Sequence, residues 1–82
     1  MKHRTGWEIM RDILAVIADE RMKKTHIMQR ACLDWRKFQR YFTFLLERGF
    51  IACAEDENCY YLTEAGNKLL ERLTVVNEML SI

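Results

Sequence analysis

The sequence predicts a small, mainly α fold with one β-hairpin, and three observations point to it. The chain has 82 residues, enough for one hydrophobic core and not two. It has no proline and only three glycines (Gly6, Gly49 and Gly66), so long helices and few turns are expected. Its hydrophobic period is helical except between residues 50 and 62, where two short strand-compatible runs flank a polar tip. Half of the residues are apolar and 30% are charged, which argues against a disordered chain. No apolar run approaches the ~20 residues that span a bilayer. The start, Met1-Lys2-His3-Arg4-Thr5, leads into a mixed-charge segment and carries no signal-peptide pattern. Three cysteines without C-x-x-C spacing suggest neither a disulfide framework nor a zinc cluster, and fit a reduced, cytoplasmic setting.

Each element has its own signal. Thr5-Gly6-Trp7-Glu8 reads as a capping box, with Ile9, Ile13, Val16 and Ile17 behind it at helical spacing and Met10 and Leu14 widening the stripe. The first helix is therefore expected over 6–20. Arg21 to Lys24 forms a connector, and Thr25 is expected to cap a short second helix over 26–31, with Ile27, Met28 and Ala31 inward. Cys32-Leu33 makes a tight turn. Asp34 caps a third helix over 34–48, whose apolar stripe is Phe38, Tyr41, Phe42, Leu45 and Leu46 and which Gly49 ends. Residues 50–54 and 59–62 form the hairpin around Glu55-Asp56-Glu57-Asn58. Thr63 caps the last helix, over 64–80.

A short helix, a tight turn and a longer helix make a helix-turn-helix, and the hairpin makes it winged. The expected division is a winged helix-turn-helix over 1–62 and a C-terminal helix over 63–82, partly core and partly dimerisation. Charge falls unevenly on this plan. Residues 21–40 carry seven basic side chains (Arg21, Lys23, Lys24, Arg30, Arg36, Lys37, Arg40) against Asp34 alone, while the whole chain is only +1. A localised basic block points to an anionic partner.

With the apolar stripe inward, the third helix presents Trp35, Arg36, Lys37, Gln39, Arg40 and Thr43. Arginine can bond guanine O6 and N7, glutamine adenine N6 and N7, and a threonine methyl can touch thymine. Arg21, Lys23, Lys24 and Thr25 would lie nearer the phosphates, and His26 could touch one. Trp35 either stacks on a sugar or base edge or lies over the start of the second helix. Phe44 is expected partly covered by the first or last helix. The wing tip Glu55-Asp56-Glu57 would repel a phosphate backbone. Either the wing stands away from DNA, or the module binds protein instead.

In the last helix, Leu62, Gly66, Leu69, Leu73, Val76 and Leu80 follow heptad spacing, with Leu70, Val75 and Met79 beside them. Leu69, Leu73, Val76 and Leu80 are the expected dimerisation seam, with Leu73, Val76 and Leu80 beyond the reach of the chain's own core. The alternative is a monomer whose last helix folds back along the first. His3 and His26 have no evident ligand partners. Cys53 and Cys59 could face each other across the hairpin, or simply fill space like Cys32. There is no Gly-rich phosphate loop, paired apolar carboxylate or nucleophile elbow, so no enzyme, cofactor or metal site is expected.

These motifs carry a resemblance. Lys24-Thr25-His26-Ile27-Met28, Leu33-Asp34-Trp35, Phe38-Gln39-Arg40-Tyr41-Phe42, Leu45-Leu46-Glu47-Arg48-Gly49-Phe50-Ile51 and Tyr60-Tyr61-Leu62-Thr63-Glu64-Ala65-Gly66 resemble the small archaeal winged helix-turn-helix proteins. That family's pattern is K-T-x-I-M, L-S-Y, L-x-x-Y-L, L-L-E-x-G-L-I and Y-x-L-T-x-x-G. The resemblance covers most of residues 7–73. It implies a cytoplasmic DNA-binding protein, regulatory or chromatin-associated, often dimeric through its C-terminal helix. It also implies that Lys24, Thr25 and the outward residues of the third helix face DNA. Asp34, Trp35 and Cys32 stand where the family usually has Ser, Tyr and Asn. The expected function is thus a dimeric transcriptional regulator on double-stranded DNA, and the alternative is a winged-helix module that binds an acidic protein.

Overall fold

The computed structural model describes residues 4–55 and 58–80. Its order is α1 (Gly6–Asp19), α2 (Lys24–Arg30), α3 (Trp35–Glu47), β1 (Ile51–Ala54), β2 (Cys59–Leu62) and α4 (Glu64–Leu80). This is the winged-helix arrangement that the sequence predicts. His3 and two residues of the expected acidic wing tip, Asp56 and Glu57, lie outside the described residues, while Glu55 is exposed.

The capping box at α1 forms in both directions. The Thr5 N–H donates to Glu8 Oε1 at 2.9 Å and the Glu8 N–H donates to Thr5 Oγ1 at 3.4 Å. Ile9, Ile13, Leu14 and Ile17 of α1 are buried against Ile27, Phe38, Phe42, Leu45 and Ile51, so one core joins four elements. Phe38 and Phe42, one turn apart on α3, stack with ring centroids 4.9 Å apart, and Tyr60 meets Phe42 edge-on at 4.8 Å. Aromatic pairs in such offset and edge geometries add ~0.5–1.5 kcal/mol beyond their burial. Leu46, expected inward, is 37% exposed; it falls past the edge of the stripe that Phe38, Phe42 and Leu45 define.

The strands pair antiparallel in register Ile51↔Leu62, Ala52↔Tyr61, Cys53↔Tyr60, Ala54↔Cys59. Side chains alternate across a ribbon, so Cys53 shares a face with Tyr60 and Cys59 lies on the other face. The two thiols therefore do not face each other, and neither fills the core: Cys53 is exposed and Cys59 half-buried. Burial, then the Cys53 thiol beside it, raise the Tyr60 phenol above its ordinary pKa. A single bridge adds Met22 to the free edge of β2, where the Tyr60 N–H donates to the Met22 carbonyl at 3.0 Å.

Thr63 joins two helix ends. Its Oγ1 accepts from the Gly66 N–H at 3.1 Å, capping α4, and donates to the Gly49 carbonyl at 2.6 Å, just past α3. Gly66 lies so close that an added Cβ would run into the Phe50 carbonyl oxygen. The first half of α4 packs along α1, with Leu69, Leu70 and Leu73 against the core. Leu73 is thus reached by the chain's own core, contrary to the expectation. Beyond it Val75, Val76, Met79 and Leu80 are exposed.

At the end of α2 the Cys32 N–H bonds the Gln29 carbonyl and the Leu33 N–H bonds the Met28 carbonyl, at 3.1 and 3.2 Å. This double closure requires a left-handed residue, and Cys32 supplies it with φ 56°. Its side chain is exposed rather than filling space. A left-handed non-glycine residue costs ~1–2 kcal/mol. Cys32→Gly is expected to recover about 1 kcal/mol of that, raising Tm by about 4–8 °C for a domain of this size. Thermal unfolding under reducing conditions measures it; an unchanged or lower Tm contradicts the account.

Candidate nucleic-acid interface

The site begins with the cap of α3. Asp34 Oδ1 accepts from the Lys37 N–H at 2.9 Å, which fixes the first turn. Phe38, Phe42 and Leu45 then set the helix's rotation, and the remaining positions turn outward. Trp35, Arg36, Lys37, Arg40 and Thr43 are all exposed, as expected. Among the described residues none of Arg36, Lys37 or Arg40 is in an ion pair. Gln39 differs. It is half-buried, and its Oε1 is covered without a hydrogen-bond partner.

The second helix joins the same surface. It begins at Lys24 rather than 26, and Thr25 is not its cap. Lys23 holds the cap position, without a side-chain bond, so the connector is shorter than expected and Thr25 sits exposed in the first turn. The Lys24 ammonium lies 5.4 Å from the centroids of both the Trp35 and the Phe42 ring. Two ring faces hold the cation in place, and they bring Lys24 and Trp35 together across the turn. Trp35 is still 54% exposed, with its ring 6.3 Å from Phe38. It thus packs locally against Lys24 at the start of α2, as one of its two readings has it, and keeps an exposed face. Phe44 is 40% exposed, beside Met10 of α1 and under the Arg48 guanidinium at 4.9 Å.

One positioning residue escaped the sequence reading. Arg4 donates from Nη1 to the Ala31 carbonyl and from Nη2 to the Cys32 carbonyl, both at 2.8 Å, and pairs with Asp12 at 2.8 Å. It thereby ties the turn before α3 to α1. These bonds span 27 and 28 residues, and no local pattern announces them.

A winged helix-turn-helix family model matches residues 3–81. The chain belongs to the winged helix-turn-helix family. Its relatives include two archaeal proteins of Methanocaldococcus jannaschii. The uncharacterized protein MJ0287 is 37% identical over 78 residues, which is 95% of this chain and 78% of that one. The uncharacterized protein MJ0290 is 38% identical over 68 residues, 83% of this chain but only 31% of that longer protein. Among solved structures, Sso10a-2, a DNA-binding protein from Sulfolobus solfataricus, superposes with TM-score 0.80 at 23% identity, covering 93% of this chain and 81% of that one. The MarR family transcriptional regulator SPO1453 from Silicibacter pomeroyi superposes with TM-score 0.69 at 20% identity, over 87% and 54%. At these identities the likeness is one of fold. No helix among the described residues is long and apolar enough to cross a membrane.

Arg4→Ala removes two charged hydrogen bonds and an ion pair at a site about one-third exposed. The expected loss is about 1.5 kcal/mol, the low end for bonds to a charged donor. Denaturant unfolding checks it, and amide exchange should quicken at Cys32 and Leu33. Unaltered protection there would mean that the turn does not depend on Arg4.

Proposed function

We propose that the protein binds double-stranded DNA as a transcriptional regulator, with α3 in the major groove and α4 joining two copies. The observation that carries this reading is the row of exposed cations Arg36, Lys37 and Arg40, none of them in an ion pair among the described residues, on the second helix of a helix-turn-helix. Uncompensated charge on that helix suits a polyanion whose groove admits a helix. The family, and two fold neighbours named as a DNA-binding protein and a transcriptional regulator, support it. Arg36 and Arg40 are assigned to guanine edges and Thr43 to a thymine methyl. Lys23, Lys24, Thr25 and Lys37 are assigned to phosphates, with Trp35 beside the sugar edge. Gln39 reads adenine only if its amide leaves the covered position. Such a partner implies a cytoplasmic protein.

The dimer rests on the far end of α4. Val75, Val76, Met79 and Leu80 are exposed by 52%, 39%, 68% and 67%. A contiguous apolar stripe of this kind marks an interaction surface, and a second copy is the simplest cover. Leu69 and Leu73 already pack in the chain's own core, so the seam between copies centres on Val76 and Leu80.

Arg36→Ala and Arg40→Ala should each lose ~1–3 kcal/mol of discrimination between preferred and altered duplexes, measured by competition binding. Lys24→Ala should weaken all sequences alike and reduce the salt slope by about one. Equal affinities for all three variants and the parent would end the DNA reading.

Fully burying a leucine-sized side chain contributes ~1.5–3 kcal/mol, and the exposed parts of these four side chains on each chain are the apolar area that would hold a dimer together. Sedimentation of the parent protein should show it. Val76→Glu with Leu80→Glu should give folded monomers of unchanged helical content and weaker DNA binding. A parent that sediments as a monomer at tens of micromolar refutes the dimer.

A further inference from the structure

We infer that the cleft between the α1–α2 connector, α2 and the start of β2 is a phosphate-binding site in its own right, beside but separate from the face of α3. The cleft has a volume of about 460 Å³, in the range of small-molecule sites. Arg21, Lys23, His26 and Arg30 line it, and Glu20 is the single carboxylate among its lining residues. Its apolar wall is Met22, which is buried.

The Arg21, Lys23 and Arg30 charges are poorly neutralised. Arg30 reaches Asp19 only at 3.8 Å, with both side chains largely in solvent. Arg21 lies over the Tyr61 ring at 5.0 Å rather than against a carboxylate. Lys23 and His26 have no ion pair among the described residues. Like charges gathered in a concave site repel one another and concentrate anions there. Guanidinium groups are suited to phosphate, which can take several charged hydrogen bonds at once, and two line this cleft from different elements.

The walls are also fixed before any ligand arrives. The Met22–Tyr60 backbone bridge pins the connector to β2. Arg21 and Lys23, on either side of that bridge, are therefore held at the mouth rather than on a free loop. A preformed site loses less ordering entropy on binding.

The chemistry recognised is a phosphate group, carried either by the DNA backbone or by a free polyphosphate. The site does not depend on α3 reading bases. The test uses inorganic tripolyphosphate as the probe, with calorimetry and amide chemical shifts as readouts. The parent protein should bind it saturably, with shifts concentrated at residues 20–30. His26→Gln combined with Arg30→Gln should weaken binding about tenfold or more. Both residues are exposed, so the fold should survive, and circular dichroism confirms that.

A short duplex then separates the two sources. If the backbone fills the cleft, tripolyphosphate competes with DNA and the double variant binds DNA more weakly. If a free polyphosphate fills it, tripolyphosphate binds the DNA complex too and the double variant keeps its DNA affinity. Absence of saturable tripolyphosphate binding, or binding that ignores both substitutions, overturns the site. Loss of discrimination in Arg36→Ala and Arg40→Ala would be unaffected by that failure, so the two readings fail separately.

Discussion

The rotation of α3 about its own axis is the constraint on which the rest of the molecule depends. Phe38 and Phe42 stack one turn apart, Tyr60 closes on Phe42, and Leu45 continues the seam. With three large side chains locked inward, helical geometry leaves no choice about what faces out. Arg36, Lys37, Arg40 and Thr43 are outward because the phenylalanines are inward. A polar substitution in the seam would therefore both cost stability and re-aim the cationic face.

The hairpin serves this constraint more than it serves itself. A two-stranded ribbon is marginal alone. Here Tyr60 and Leu62 lie against the core, and Met22 extends the ladder at its free edge. Thr63 then holds the end of α3 and the start of α4 with one hydroxyl, while Gly66 lets α4 approach the Phe50 carbonyl. The two helices that frame the fold are thus set relative to each other by a junction of short side chains, with little room for drift.

Most of this was legible in the sequence because it is local. Caps at Thr5, Asp34 and Thr63, the stop at Gly49, the helical stripes and the change of period at residue 50 all act within a few positions. The outward row on α3 followed from the stripe alone. What was not legible is long-range or sub-residue. Register decides which hairpin face a cysteine takes, and it puts Cys53 and Cys59 on opposite faces, which residue spacing around the tip does not reveal. Thr25 looked like a cap because threonine prefers that position, yet the chain enters α2 two residues earlier and leaves Lys23 there. Leu73 fell to the chain's own core because α4 lies along α1 for longer than an estimate from length suggested. The covered Gln39 oxygen and the ring-held Lys24 are products of tertiary packing, which periodicity does not encode.

The Arg4 tie makes the aim of α3 depend on the segment ahead of α1. The carbonyls it holds belong to a turn that closes with strained backbone at Cys32, and the donor lies near the opposite end of the chain's first half. The turn that aims α3 is therefore coupled to the segment leading into α1. Anything that draws on that segment, such as a fused tag or a bound neighbour, pulls on the orientation of α3 from a distance.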